Sequence, residues 1–224
     1  MAARTRQLEG AALTIRPANE ASWEDLQKVF SSTAPANCQC QRYKMRPKEC
    51  LVTTSVEERA HRLRIQTDPA TPDAKATTGL VAYLDDEPVG WCAVEPRTAY
   101  IGLVRGGRVA WTGRSEDRGD DSVWAVTCFV TRAGFRRRGI SRALARAAVE
   151  FARDHGARAV EGYPMTTRNA VLDELHVGTE GTFAAAGFTE VSRPSPRRVV
   201  MRIDLRPWRS SREAGTGPGA EDRR

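Results

Sequence analysis

From residue 11 to about residue 205, apolar and polar positions change period in short blocks. Leu13–Arg16 predicts a short strand that Pro17 stops. Ser22 stands as an N-cap before Trp23-Glu-Asp-Leu, and the helix runs to about Phe30. Residues 31–50, rich in Cys, Pro and Asn, follow neither period. Ser55-Val-Glu-Glu58 has the spacing of a capping box and opens a helix to about Gln66. Gly79–Leu84 and Val89–Glu95 are apolar runs around Asp85-Asp-Glu-Pro, which predicts a hairpin. A polar, Gly-rich excursion fills about 105–121, and Ser122–Val130 is the strongest strand signal in the chain. Ile140, Leu144, Ala147, Ala148 and Phe151 then recur at helical spacing, up to about His155 and Gly156. Ala159–Tyr163, a short helix at Thr179–Ala186, a strand from Val191 and a last one at Arg198–Leu205 complete the series.

This order predicts one mixed, mostly antiparallel sheet with helices on both faces, in the α/β (α+β) class. At 224 residues, a single domain over about 11–208 is expected. Residues 1–10 read as a loose polar arm, and the Gly-rich 209–224 as a disordered tail.

Composition narrows the classes. The apolar share is 40% and the charged share 28%, ordinary globular values. No apolar run approaches the ~20 residues of a membrane span, and the start has no apolar core of a secretory signal. A cytoplasmic protein without a membrane partner is expected. Cys38, Cys40, Cys50, Cys92 and Cys128 make an odd count, which argues against a disulfide framework. Cys38-Gln-Cys40 is too closely spaced for a structural zinc pair and has no His near it in sequence, so no metal is expected.

The net charge of +7 asks for an anionic partner. Its distribution is uneven. Seven Arg against Glu150 alone lie between Arg132 and Arg153, and the tail from Arg206 holds five Arg against three acids. The rest of the chain is close to neutral. The charge is therefore no general coat for nucleic acid, and no helix-turn-helix, zinc-finger or RNP-like motif accompanies it.

That basic stretch carries the chemistry. A buried strand enters a short loop, and Arg136-Arg137-Arg138-Gly139-Ile140-Ser141 opens a helix. The first turn of a helix presents unpaired N–H groups and a positive dipole end, which suit an anion. Gly139 lets the backbone approach it, Ser141 supplies a hydroxyl, and the arginines supply forked donors for phosphate oxygens. A Walker loop is excluded, since no Lys follows Lys75. A dinucleotide fingerprint is excluded too, since the loop has only Gly134 and Gly139, wrongly spaced.

Arg136-x-x-Gly139-x-Ser141 in this setting resembles the acyl-CoA pyrophosphate loop of the GNAT superfamily of N-acetyltransferases, usually written Gln/Arg-x-x-Gly-x-Gly/Ala. Glu87-Pro-Val-Gly-Trp91 resembles the family's hairpin, and Phe183-Ala-Ala-Ala-Gly-Phe188 its Tyr-x-x-x-Gly-Phe element. The resemblance implies a GNAT-like fold over about 79–205, with Leu13–Phe30 as its first strand and helix. It implies acetyl-CoA as cosubstrate, a small-molecule amine as acceptor, and direct attack of the amine on the thioester. The backbone of Phe129 and Val130 would pair with the pantetheine arm, and the amides from Arg137 to Ser141 would hold the pyrophosphate. Dimers are common in the family, so a homodimer is compatible with it.

Two positions depart from the family. Phe183 stands where a Tyr often serves as acid, and His176 where an Asn is common. Tyr163 at a strand end, His176 and Glu161 are the substitute candidates for acid and base. Each also has a plain structural explanation: packing, a surface loop, a solvated strand end. By analogy with the family, Cys38, Cys40, Arg42 and Tyr43 would line the acceptor pocket, and Trp111 is the tryptophan expected to face a ligand. Phe183 keeps open a degenerate member that binds CoA as a sensor without catalysis. A nucleic-acid-binding module remains as a third alternative.

Overall fold

The computed structural model describes residues 4–8, 11–31, 37–73, 77–106, 108–166, 170 and 172–205. One eight-stranded sheet runs through it in the order β1-β2-β3-β4-β5-β6-β8-β7. The strands are β1 (Arg4–Leu8), β2 (Ala11–Pro17), β3 (Leu80–Leu84), β4 (Glu87–Pro96), β5 (Val123–Thr131), β6 (Ala159–Gly162), β7 (Thr189–Ser195) and β8 (Arg198–Asp204). The β5–β6 pair is parallel and every other pair is antiparallel. The helices are α1 (Trp23–Phe30), α2 (Val56–Thr67), α3 (Ile101–Gly106), α4 (Arg108–Trp111), α5 (Ile140–Asp154) and α6 (Glu180–Ala184).

The capping signals act as the sequence predicts. Ser22 accepts from the Asp25 amide and Ser55 from the Glu58 amide, each at 3.1 Å. Thr179 caps α6 in the same way. Two stretches differ from the sequence reading. The polar arm contains β1, because five residues of it pair with β2 as an edge strand. The 105–121 excursion begins with α3 and α4, whose apolar residues Leu103, Ala110 and Trp111 are buried. Their period is hidden because each helix is too short to show two turns of it. The disordered tail and the last residues of the predicted domain fall on 206–224, outside the described residues.

The core has two sides. Leu80, Ala82, Cys92, Val126 and Val160 face α5 and α6 with Leu144, Ala148, Phe151 and Phe183. On the other face, Val81, Trp91, Ala93, Cys128 and Val130 pack under α1 and α2. Farther along that face, Tyr100, Trp111, Ala125, Tyr163 and Val200 pack with α3 and α4.

The strand that builds the site breaks its own alternation. Ala93 pairs with Cys128 and Val94 with Val126, so Thr127 is an extra residue in β5. This β-bulge resets the phase. Val126 and Phe129 both face α5, while Ala125, Cys128 and Val130 face the other side. The β5–β6 pairing also ends at Val126 with Gly162, so the two strands part at the bulge.

Candidate functional site

The arginine loop takes the form its sequence requires. Gly134, Arg137 and Gly139 adopt positive φ values of 86°, 64° and 80°. Gly139 is the N-cap of α5 and has no side chain to close it, unlike Ser22, Ser55 and Thr179 at α1, α2 and α6. A Cβ at Gly139 would meet nothing within 4 Å, so the space above the first turn is open. An open cleft of about 350 Å³ lies there, lined by Thr131, Phe135, Arg137, Gly139, Ile140, Ser141, Arg142 and Thr182. The Ser141 and Thr131 hydroxyls are 3.3 Å apart at its floor. Uncapped amides, a dipole end and the exposed Arg137 and Arg142 meet at one opening. Arg136, Arg137 and Arg138 are all exposed, while Arg132 is bound to Glu87 at 2.8 Å and to the Pro88 carbonyl. Ile140 is the exception within the motif: its side chain is buried and anchors α5 on the sheet. Phe129 and Val130 lie on β5 beyond the point where β6 leaves it, so this stretch of strand has no β6 partner.

The substitute acid and base candidates are placed elsewhere. Glu161 does not end β6 in solvent. Its carboxylate is fully buried and is shared by Arg97 (3.2 Å), Arg202 (2.9 Å) and Arg114. The Tyr163 hydroxyl donates to the same carboxylate at 2.9 Å. Glu116 bridges Arg114 and Arg202 from outside, and Asp204 holds Arg202. Burial pushes the Glu161 carboxyl up, but the Arg114 hydrogen bond and the charges of Arg114 and Arg97 outweigh it, so it stays below the usual range. A base with every oxygen occupied by arginine accepts no proton from an amine. Tyr163 is equally committed: burial and the Glu161 charge hold its hydroxyl well above its usual value. Both are corrected from acid–base candidates to members of an interior ion cluster. The alternation of β6 explains it, since Val160 faces α5, whereas Glu161 and, just past the strand, Tyr163 lie on the α3–α4 side.

Trp111 is likewise interior, only 6% exposed. Its indole N–H donates to the Leu103 carbonyl at 2.9 Å, and Arg97, Arg118 and Arg114 stack on its ring. It is a platform for the ion cluster, not a ligand face. Tyr43 packs on the same cluster of side chains. Cys40 lies under the sheet, where its sulfur accepts the Trp91 indole N–H at 3.0 Å. All five cysteines are free thiols, and Cys38 is pushed up to about 11 by burial and by Cys40. Among the described residues no three His, Cys, Asp or Glu side chains gather as a metal site. His176 is half-buried in the 3₁₀ turn Leu172–Val177, which packs on β5.

Phe183 is a core residue. Its ring lies 5.7 Å from Phe129 and 5.0 Å from Phe188, and it fills the space left by the missing side chain of Gly162. It offers no proton.

Sequence reasoning missed a second polar group, Lys44, Glu95, Tyr100 and Thr127, on the α1–α2 face where β5 and β6 part. The one signal for it is a carboxylate ending the apolar run of β4.

The chain matches the model of the Acetyltransferase (GNAT) family over residues 43–173, more than half its length, and it belongs to that family. The fold agrees. The GNAT domain of a Streptomyces lividans protein, PAT, superposes with a TM-score of 0.52 at 16% identity, covering 91% of this chain and 97% of that one. An uncharacterized protein from Bacillus halodurans gives 0.50 at 10% identity, with 91% and 90% covered. The aminoglycoside acetyltransferase AAC(6')-Ib in complex with coenzyme A gives 0.48 at 16%, with 86% and 94% covered. By sequence, no curated protein matches the chain. The family is one of acyltransferases that use acetyl-CoA. Among the described residues no helix is long and apolar enough to cross a membrane.

Proposed function

We propose that this protein is a cytoplasmic N-acetyltransferase that moves the acetyl group of acetyl-CoA to a primary amine of a small molecule. The observation that carries the reading is the α5 N-terminus, uncapped, opened by Gly139 and bordered by exposed arginines over a cleft. In this reading the amides from Arg137 to Ser141 hold the pyrophosphate, and the Arg136, Arg137 and Arg138 side chains add charge-assisted bonds. The edge of β5 that β6 leaves at Phe129 and Val130 orients the pantetheine arm, and with it the thioester carbonyl. The amine attacks the carbonyl carbon, a C–N bond forms, and the C–S bond breaks. With Phe183, Tyr163 and Glu161 unable to exchange protons with substrate, the thiolate leaves without their help, which a thiol pKa of ~8.5 permits.

The loss of Phe183, Tyr163 and Glu161 as proton donors favours a second reading, a CoA-binding sensor. Calorimetry with acetyl-CoA tests the site, and release of CoA thiol with a panel of amines separates the two readings. Binding with thiol release is the expected result. Binding without release across the panel leaves the sensor, and no binding refutes both.

A further inference from the structure

Lys44 places an ammonium group in a cage. Its Nζ pairs with Glu95 and donates to the Thr78 hydroxyl at 2.7 Å and to the Gln66 side-chain oxygen at 3.2 Å. The Tyr100 ring lies 5.5 Å away under the same charge. Three oxygens and an aromatic face are what a primary ammonium requires of a buried site. One polar atom of the cage is left over. The Tyr100 hydroxyl, fully buried, faces Thr127 but has no well-formed hydrogen bond, whereas Glu95 Oε2 is taken up by the Lys44 ion pair. A buried polar group of this kind ordinarily finds a partner.

The position of the cage matters as much as its contents. Glu95 pairs with Ala125 and its neighbour Val94 with Val126, so it sits beside the last β5–β6 pair. Thr127 is the bulge at which β5 leaves β6. From Thr131 at the cleft to Thr127 is four strand steps, ~13 Å at ~3.3 Å each. A thioester arm laid along β5 from the Gly139 opening points toward this cage. Lys44 itself comes from residues 37–54, which form no α-helix or β-strand and hold Gln39, Cys40 and Lys48 at positive φ.

We propose that the Glu95–Tyr100 cage is the seat of the acceptor's ammonium group, and that Lys44 fills it in the absence of substrate. This rests on the acetyltransferase reading and names its substrate class: an unhindered primary alkylammonium that displaces Lys44. Such a group loses two protons when it becomes an amide. The first passes to the Glu95 oxygen and on to solvent, freeing the lone pair for attack. The second ends on the departing thiolate, so the products are the acetamide, the CoA thiol and one released proton.

Lys44→Ala empties the cage, and n-propylamine is the probe. Expected results are a Tm that rises with propylamine but not with n-propanol, and N-propylacetamide formed at least tenfold faster than by the wild type at low amine. Propylamine that stabilises the variant without being acetylated, while acetyl-CoA binds with wild-type affinity, overturns the proposal and makes the cage a structural lysine pocket. Wild-type protein that fails to bind acetyl-CoA refutes the acetyltransferase reading itself, a distinct outcome that also removes the proposal. If Lys44→Ala does not fold, Glu95→Gln keeps an oxygen for Lys44 and takes its place. Its propylamine KM is expected to rise at least tenfold with acetyl-CoA affinity unchanged, and an unchanged KM overturns the proposal.

Discussion

Arginines sit on opposite faces of this sheet in two different states. Arg97, Arg114 and Arg202 lie under α3 and α4, almost wholly buried, and share Glu161, Glu116 and Asp204 among them. Three cations meet three anions, and the group is closed. Arg136, Arg137 and Arg138 lie in the turn before α5, exposed, with no carboxylate partner among the described ion pairs. One set holds the α3–α4 insertion against β6 and β8, and the other carries unneutralised charge beside an open helix end, where Arg137 lines the cleft. Residue type and net charge do not separate the two, but burial and partners do. A chain-wide surplus of positive charge thus becomes a site only where the fold leaves it unpaired.

The sharpest way to break this comparison is to remove the shared carboxylate. Glu161→Gln leaves Arg97, Arg114 and Arg202 without their common anion and is expected to cost about 3–5 kcal/mol of stability, read by urea denaturation. The Glu161 carboxyl titrates below its usual value when folded. Its contribution is therefore complete above the unfolded value of ~4.3 and is lost as pH falls through the folded one. The stability gap between wild type and variant is expected to be constant above that pH and to close below it. A gap that instead widens in acid contradicts the assignment. Tyr163→Phe removes one hydrogen bond to the same charge and is expected to cost roughly 1.5–3 kcal/mol, with acetyl-CoA affinity unchanged. A loss of turnover out of proportion to that stability change returns Tyr163 to the list of acids.

Gly139→Val inverts the pattern by acting on the open set. Val is strained at a φ of 80°, which costs ~1–2 kcal/mol, and its side chain enters the space above the first turn. Acetyl-CoA affinity is expected to fall at least tenfold, ~1.4 kcal/mol, while the far-UV circular dichroism stays native. Unchanged affinity places the nucleotide elsewhere.

The two regions also differ in how far the sequence exposes them. The loop was legible because its physics is local. A strand, a short turn, a glycine and a helix start lie within a dozen residues, and each follows from its neighbours. Helix caps at Ser22 and Ser55 were legible for the same reason. The ion cluster joins residues 97, 114, 161 and 202, separated by more than a hundred positions at the extremes, and only strand register brings them together. Glu161 and Tyr163 share a face by alternation, which their sequence positions do indicate. Which face it is, and that α3 and α4 cover it, follows from an insertion whose two helices are too short to announce themselves. The Lys44–Glu95 cage is hidden likewise, since Lys44 comes from a segment without period.

Arg137 allows the smallest and most discriminating test, because in that one residue the two uses of arginine conflict. It is a non-glycine residue at a φ of 64°, a conformation that costs an L-residue roughly 1–2 kcal/mol. Its side chain is exposed and lines the cleft, so no burial within the fold offsets that cost. If the turn were only structural, glycine would serve it better. Arg137→Gly is therefore expected to raise the Tm, by an amount matching up to about 1 kcal/mol, because glycine adopts the turn without strain. The same change deletes a guanidinium from the anion opening, so acetyl-CoA affinity is expected to fall several-fold. That loss should shrink as salt is raised, because an exposed charge is screened over ~8 Å at physiological ionic strength. Stability up and affinity down in one variant is the signature of a strained residue kept for binding. Both rising together would mean that Arg137 repels what the cleft holds, and the turn would then be no phosphate site.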